Sequence, residues 1–157
     1  MSLYGFFTYL QNSAVGHYIR KADILVGAAL QVLHVAGFVL LLAAVALVNL
    51  RLLGVGLRSQ PIAQVARASS RILWLGAALA VLSGTLIFMS AAVHYYPNEA
   101  FWSKMALLVL AIAFQLTIHR KVVAGGAPNR AVAAAVALVS LTLWFGVGIA
   151  GRAIGFI

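Results

Sequence analysis

Cysteine is absent from this 157-residue chain, which excludes disulfides, thiolate metal sites and covalent c-type haem attachment. Acids are almost absent as well. Asp23 and Glu99 are the only two, against 11 lysines and arginines, and the formal net charge is +9. Neither carboxylate lies near a serine–histidine pattern, so nucleophilic hydrolase chemistry has no support. Charge of either sign is scarce, at 8% of residues where a soluble domain carries about a quarter. Apolar residues take its place at 64% of the chain, and the sequence reads as an all-α integral membrane protein. The N-terminus lacks a signal peptide's order of basic opening, short apolar stretch and small-residue cleavage site, so no processing is expected.

The positive excess does not read as a nucleic-acid surface. Basic residues gather at the ends of apolar runs and nowhere form an aromatic-laced patch on a polar face. Four spans are predicted, at about 24–50, 71–93, 101–119 and 131–150, each long enough to cross a bilayer with some tilt. Ahead of them, Leu3, Phe6, Phe7 and Leu10 recur at helical spacing beside Tyr4 and Tyr9. Ser13 caps a second short turn that ends in Arg20 and Lys21. Residues 3–22 are read as an amphipathic interfacial helix lying on the membrane, with a packed extension of the first span as the alternative.

The 52–70 connection contains Pro61, with 62–70 read as a short surface helix. The 94–100 connection is tight and carries Tyr95 and Tyr96. The 120–130 connection holds the turn residues Gly125-Gly126 and Pro128-Asn129. Gly27, Gly37, Ala44, Gly84, Gly146 and Ala150 are small residues of the kind that let membrane helices approach closely. The expectation is a single transmembrane domain, a four-helix bundle with an N-terminal interfacial helix.

Four spans put both termini on one side. That side holds Arg20, Lys21, Lys104 and Arg152 with both acids; the other holds Arg51, Arg58, Arg67, Arg71, Arg120, Lys121 and Arg130 with none. Seven basic residues against four place the second side in the cytoplasm by the positive-inside bias. The expected location is a bacterial inner membrane with both termini periplasmic.

One residue dominates the functional question. His34 lies about ten residues past Asp23, roughly 15 Å along a helix and well inside a ~30 Å hydrocarbon layer. An ionisable group at that depth faces a protein interior, a cofactor or a water-filled cavity. Antiparallel threading brings Gln31, His94 and Lys104 to the same outer level, with Tyr95, Tyr96, Trp102 and His17. An imidazole inside a bundle suits b-type haem, with His94 or Lys104 as a second ligand or the iron left five-coordinate. A structural hydrogen bond and a proton or metal-ion path are the other readings of His34. Lys104 is also suited to snorkelling or to pairing with Glu99. A copper or zinc site is weaker, because methionines 1, 89 and 105 are scattered and no histidine pair stands at i, i+3 or i+4. At the inner level lie Asn49, Arg51, Gln115, Thr117, His119 and Arg120. His119 beside Arg120 and Lys121 is read as structural, at a helix C-terminus facing headgroups.

Several stretches carry a resemblance. They are Leu33-His34, the run from Val48-Asn49 to Gly54, Asn98-Glu99-Ala100-Phe101 with Lys104-Met105, His119-Arg120, and Gly151-Arg152-Ala153-Ile154. On these the chain resembles, over nearly its whole length, an uncharacterised bacterial four-helix integral membrane family. That resemblance implies the fold and topology and supplies no activity. Members of that family usually carry an aspartate where this chain has Asn49. More distantly, His34 with Arg51, and Lys104 with Leu107 and His119, are similar to patterns in the haem-bearing membrane protoporphyrinogen oxidases, which implies haem on His34 and a matching role for Lys104. Copper-resistance membrane domains share the helix pattern and keep a metal alternative open.

Two expectations follow. The first is a membrane b-type haem or porphyrin-handling protein with a redox or electron-transfer role. Haem b would sit on His34, with Lys104, His94 and Gln31 around it and a quinol or redox protein as partner. The second is a non-catalytic accessory subunit of a larger membrane complex, or a homo-oligomer.

Overall fold

Short polar residues decide where each helix starts, by accepting a backbone N–H that the first turn cannot satisfy itself. In the computed structural model, which describes residues 2–125 and 129–156, Ser2 caps α1 (Leu3–Gln11) and Ser13 caps α2 (Ala14–Lys21). Asp23 Oδ1 accepts from the Leu25 N–H at 2.8 Å and opens α3 (Ile24–Leu53), which ends at Gly54 in the left-handed conformation. Helix α4 (Ile62–Ser90) follows Pro61, and a single turn, α5 (Ala92–Tyr95), follows the break at Ala91. Asn98 caps α6 (Glu99–Phe114), which runs without interruption through a π-helical turn (Gln115–His119) into α7 (Arg120–Ala124). Asn129 caps α8 (Arg130–Ala153). Gly126 and Pro128, two of the predicted turn residues, lie outside the described residues.

Four helical rods are long and apolar enough to cross a membrane: Ile24–Leu53, Ile62–Ser90, Glu99–Ala124 and Arg130–Ala153. The protein is an all-α, multi-pass membrane bundle. Two expected boundaries change. The 62–70 segment is no separate surface helix but the first turns of α4. Val65, Ser69, Gly76 and Ser83 are all buried, so one packing stripe runs straight past Arg71, whose exposed side chain leaves the helix unbroken. The third rod extends beyond 119 to Ala124, through the π turn.

Helix α3 packs on α4 and on α8, and α8 packs on α6. The α3–α4 crossing is backbone to backbone. A Cβ at Gly76 would stand 2.5 Å from the Leu41 nitrogen, and one at Gly37 would stand 2.6 Å from the Ala80 nitrogen. Only glycine permits that approach, the device that small residues supply in membrane bundles. Leu41, Val45, Ala111, Trp144 and Val147 form the central core between α3, α6 and α8.

The N-terminal 3–22 segment divides into two helices at Ser13, and both fold over the end of the bundle that carries the termini. Phe7 is buried there, with its ring edge-on to Phe88 (5.2 Å) and Tyr96 (5.5 Å). Gln11 Oε1 accepts the Val93 N–H at 2.8 Å and so satisfies the start of α5. The amphipathic character is as expected, with Leu3, Tyr4, Phe6 and Tyr9 outward. The inward face docks on α4 and α5 as a cap. Burial under this cap raises the Tyr95 phenol above its ordinary pKa.

Candidate functional site

Two polar constellations lie inside the bundle, one in each half. In the half nearer the termini, α3 presents His34 to α4, where the ring rests on Gly84. A Cβ at Gly84 would stand 2.7 Å from His34 Cε1 and 2.9 Å from Nδ1, so the position must be bare. Nδ1 donates to the Ala80 carbonyl at 2.8 Å. Because a carbonyl only accepts, this bond fixes the tautomer and leaves the lone pair on Nε2. That nitrogen faces Lys104 Nζ on α6 at 3.4 Å. The lysine stem lies along α8, where a Cβ at Gly151 would be 3.3 Å from Lys104 Cε. Small residues on two helices thus shape the cradle for the two polar side chains.

Of the four residues expected at this level, His34 and Lys104 meet. Gln31 and His94 do not join them. Gln31 is exposed on α3 and lines a groove on the outside of the bundle. His94 is exposed on α5 and turns its ring toward Tyr95. Lys104 reaches inward to His34 rather than outward to Glu99. Among the described residues no three His, Asp or Glu side chains gather into a group suited to a metal ion.

The second constellation is deeper and more complete. Asn49 (0% exposed), Ser140 (1%) and His119 (3%) meet Gln115 where α3, the π turn and α8 converge. Asn49 Nδ2 donates to the Val45 carbonyl at 2.9 Å and to Ser140 Oγ at 3.0 Å. Ser140 Oγ donates to Gln115 Oε1 at 3.4 Å, and Gln115 Nε2 donates to His119 Nδ1 at 3.0 Å. His119 Nε2 then donates to Asn49 Oδ1 at 3.1 Å and closes the circuit.

Two fixed partners set its direction. The Val45 carbonyl only accepts, and Trp144 Nε1 only donates, to Gln115 Oε1 at 3.4 Å. His119 is therefore the neutral Nε2–H tautomer, with both ring nitrogens used. No buried side-chain nitrogen or oxygen among the described residues lacks a partner. The bonds as they stand use an amide at position 49: a carboxylate there would lose the bond to the Val45 carbonyl, and Ser140 would have to turn to donate to it.

His119 thus differs from its expected place among headgroups. The π turn carries one extra residue per turn, and here it coincides with the stretch whose Gln115 and His119 side chains bond to each other. Antiparallel threading sets Asn49, Gln115 and His119 at one level, and the structure adds Ser140 and Trp144. Their signal is a serine one turn before a tryptophan within a largely apolar run.

The model of a family described as "Family of unknown function (DUF6644)" matches residues 6–157. No curated protein and no solved structure matches the chain.

Proposed function

The chain belongs to that family of unknown function, and from this premise we propose that it is a membrane-embedded b-type haem or porphyrin-handling protein with His34 as the axial base. The observation that carries the reading is the Nδ1 bond to the Ala80 carbonyl. Metal-ligating histidines are held this way, one ring nitrogen tied to a carbonyl or carboxylate and the other presented with its lone pair. The donor chemistry fits haem. The space at Nε2, however, belongs to Lys104, whose flexible stem must withdraw before any ligand reaches that nitrogen. Haem, when bound, supplies one-electron chemistry at its iron.

The chain's own residues do the rest. Ala80 holds the tautomer, Gly84 seats the ring, and Lys104 offers a cation suited to a propionate. Gln31 and His94 take no part in this arrangement. The distribution of basic residues supports a bacterial inner membrane with both termini periplasmic, so the site would exchange electrons with a quinol or a redox protein near the periplasmic face.

A second reading is favoured by one observation: both nitrogens of His34 already have partners inside the protein. A fully engaged imidazole suits a non-catalytic accessory subunit of a larger membrane complex, with His34–Lys104 as an internal tie. A visible absorption spectrum separates the two. The full chain is purified in detergent from cells supplied with a haem precursor and measured as isolated and after dithionite. The expected result is a Soret band that sharpens on reduction, with split lower-energy bands, and its loss in His34→Ala while the protein still inserts. A featureless spectrum overturns the haem reading and leaves the accessory one.

A further inference from the structure

We propose that the α3 face carrying Gln31 is the contact between two copies of this chain in the membrane. Helix α3 gives one side to α4 and α8; its other side is bare, with Val32 (67% exposed), Val35 (61%) and Val39 (55%) outward. Near the start of that apolar side stands an exposed amide. Gln31 lies seven residues past the start of α3 at Ile24, about 10 Å along the helix axis and so beneath the headgroups.

Its neighbours in the groove on the far side are Val32, Val35 and Ala36, which offer no polar side chain. On the near side the groove reaches Arg20 and Asp23, whose bonds run to His17 and to the first turn of α3 and not to Gln31. An amide left to hydrocarbon is costly, and lipid tails cannot satisfy it.

A second copy can. Two chains inserted the same way round and related by a two-fold axis along the membrane normal bring the same residue of the same helix to the same depth. Gln31 then faces Gln31. An amide both donates and accepts, so the pair is self-complementary. Ala28 about one turn toward the near side and Ala36 on the far side are small enough for the two helices to close around it. The inference is independent of what His34 binds.

The absence of cysteine makes the test direct, because any introduced thiol is unique. Ala28→Cys and Val35→Cys probe this face with Gln31 intact. Val81→Cys on α4 and Val109→Cys on α6, at 61% and 67% exposure, probe other lipid-facing surfaces. Each full-length variant is reconstituted at low density in phosphatidylcholine vesicles and oxidised.

The expected result is a disulfide-linked dimer at Ala28→Cys or Val35→Cys and none at the two controls. Adding Gln31→Leu should lower the cross-linking yield roughly tenfold, the scale of an interhelical polar contact in a bilayer. No cross-link at either α3 position overturns the proposal, as does equal cross-linking on all faces. A yield unchanged by Gln31→Leu also overturns it, because the amide would then contribute nothing.

Discussion

Around Asn49 every side-chain nitrogen and oxygen of the ring has a partner within the protein, whereas around His34 the ammonium of Lys104 brings its donors to a single lone pair at 3.4 Å. Both constellations bury an imidazole in a membrane-spanning half, and both fix its tautomer. They differ in whether anything is left over. In the Asn49–Ser140–Gln115–His119 ring both nitrogens of the imidazole are bonded, so His119 can take no new partner without losing a bond it already has. The His34 pair keeps a basic nitrogen behind one long, flexible side chain. Buried polar groups in a membrane therefore serve two ends here: one set locks three helices together, and the other remains able to exchange partners.

That contrast can be broken by removing the two imidazoles in turn. His119→Ala strips partners from Asn49 Oδ1 and Gln115 Nε2 and leaves a void. The expected loss is about 3–5 kcal/mol of unfolding free energy. His34→Ala, at a half-buried site, should lose only about 1–2 kcal/mol. Unfolding by SDS in mixed micelles measures both, and equal losses would mean that the two sites play the same structural role.

Gly84→Ala sharpens the contrast. Its methyl group meets His34 Cε1 at 2.7 Å and displaces the ring from Ala80. The expected cost is about 1–3 kcal/mol, together with loss of any His34-dependent chromophore. Lys104→Met should change least. Methionine keeps much of the stem and gives up one long contact, so stability should hold within about 0.5 kcal/mol while Nε2 is uncovered. A large loss on Lys104→Met would make the His34–Lys104 pair a lock as well.

Much of this was legible before any coordinates. The four apolar runs and the Ser13 cap mark helices directly, and the structure adds Asp23, Asn98 and Asn129 as caps, because short polar side chains satisfy first-turn N–H groups. The start of α4 was not legible. Arg67 and Arg71 look like the edge of a span, yet their exposed side chains do not interrupt a packing face that begins at Val65.

For the sites, depth could be read and direction could not. His34 and Lys104 share a level and a facing direction. Gln31 and His94 share the level alone, since one residue of helical rotation decides whether a side chain meets a neighbour or lipid. His119 is structural as read, but its place inside the bundle rather than among headgroups escapes the sequence for a related reason. Its surroundings depend on a π turn, and no sequence pattern in 115–119 announces the extra residue.

The cap at the terminal end carries a consequence for the order of assembly. Gln11 bonds to Val93, 82 residues later, and Phe7 packs on Phe88, Tyr96, Phe101 and Trp102. None of those partners exists when residues 3–21 leave the ribosome, and none is in position until α4 and the start of α6 are inserted. Residues 3–21 thus precede their partners in synthesis and find their place only after them. Until then their aromatic face waits at the bilayer surface, and its docking marks the moment when the terminal end of the bundle is shut.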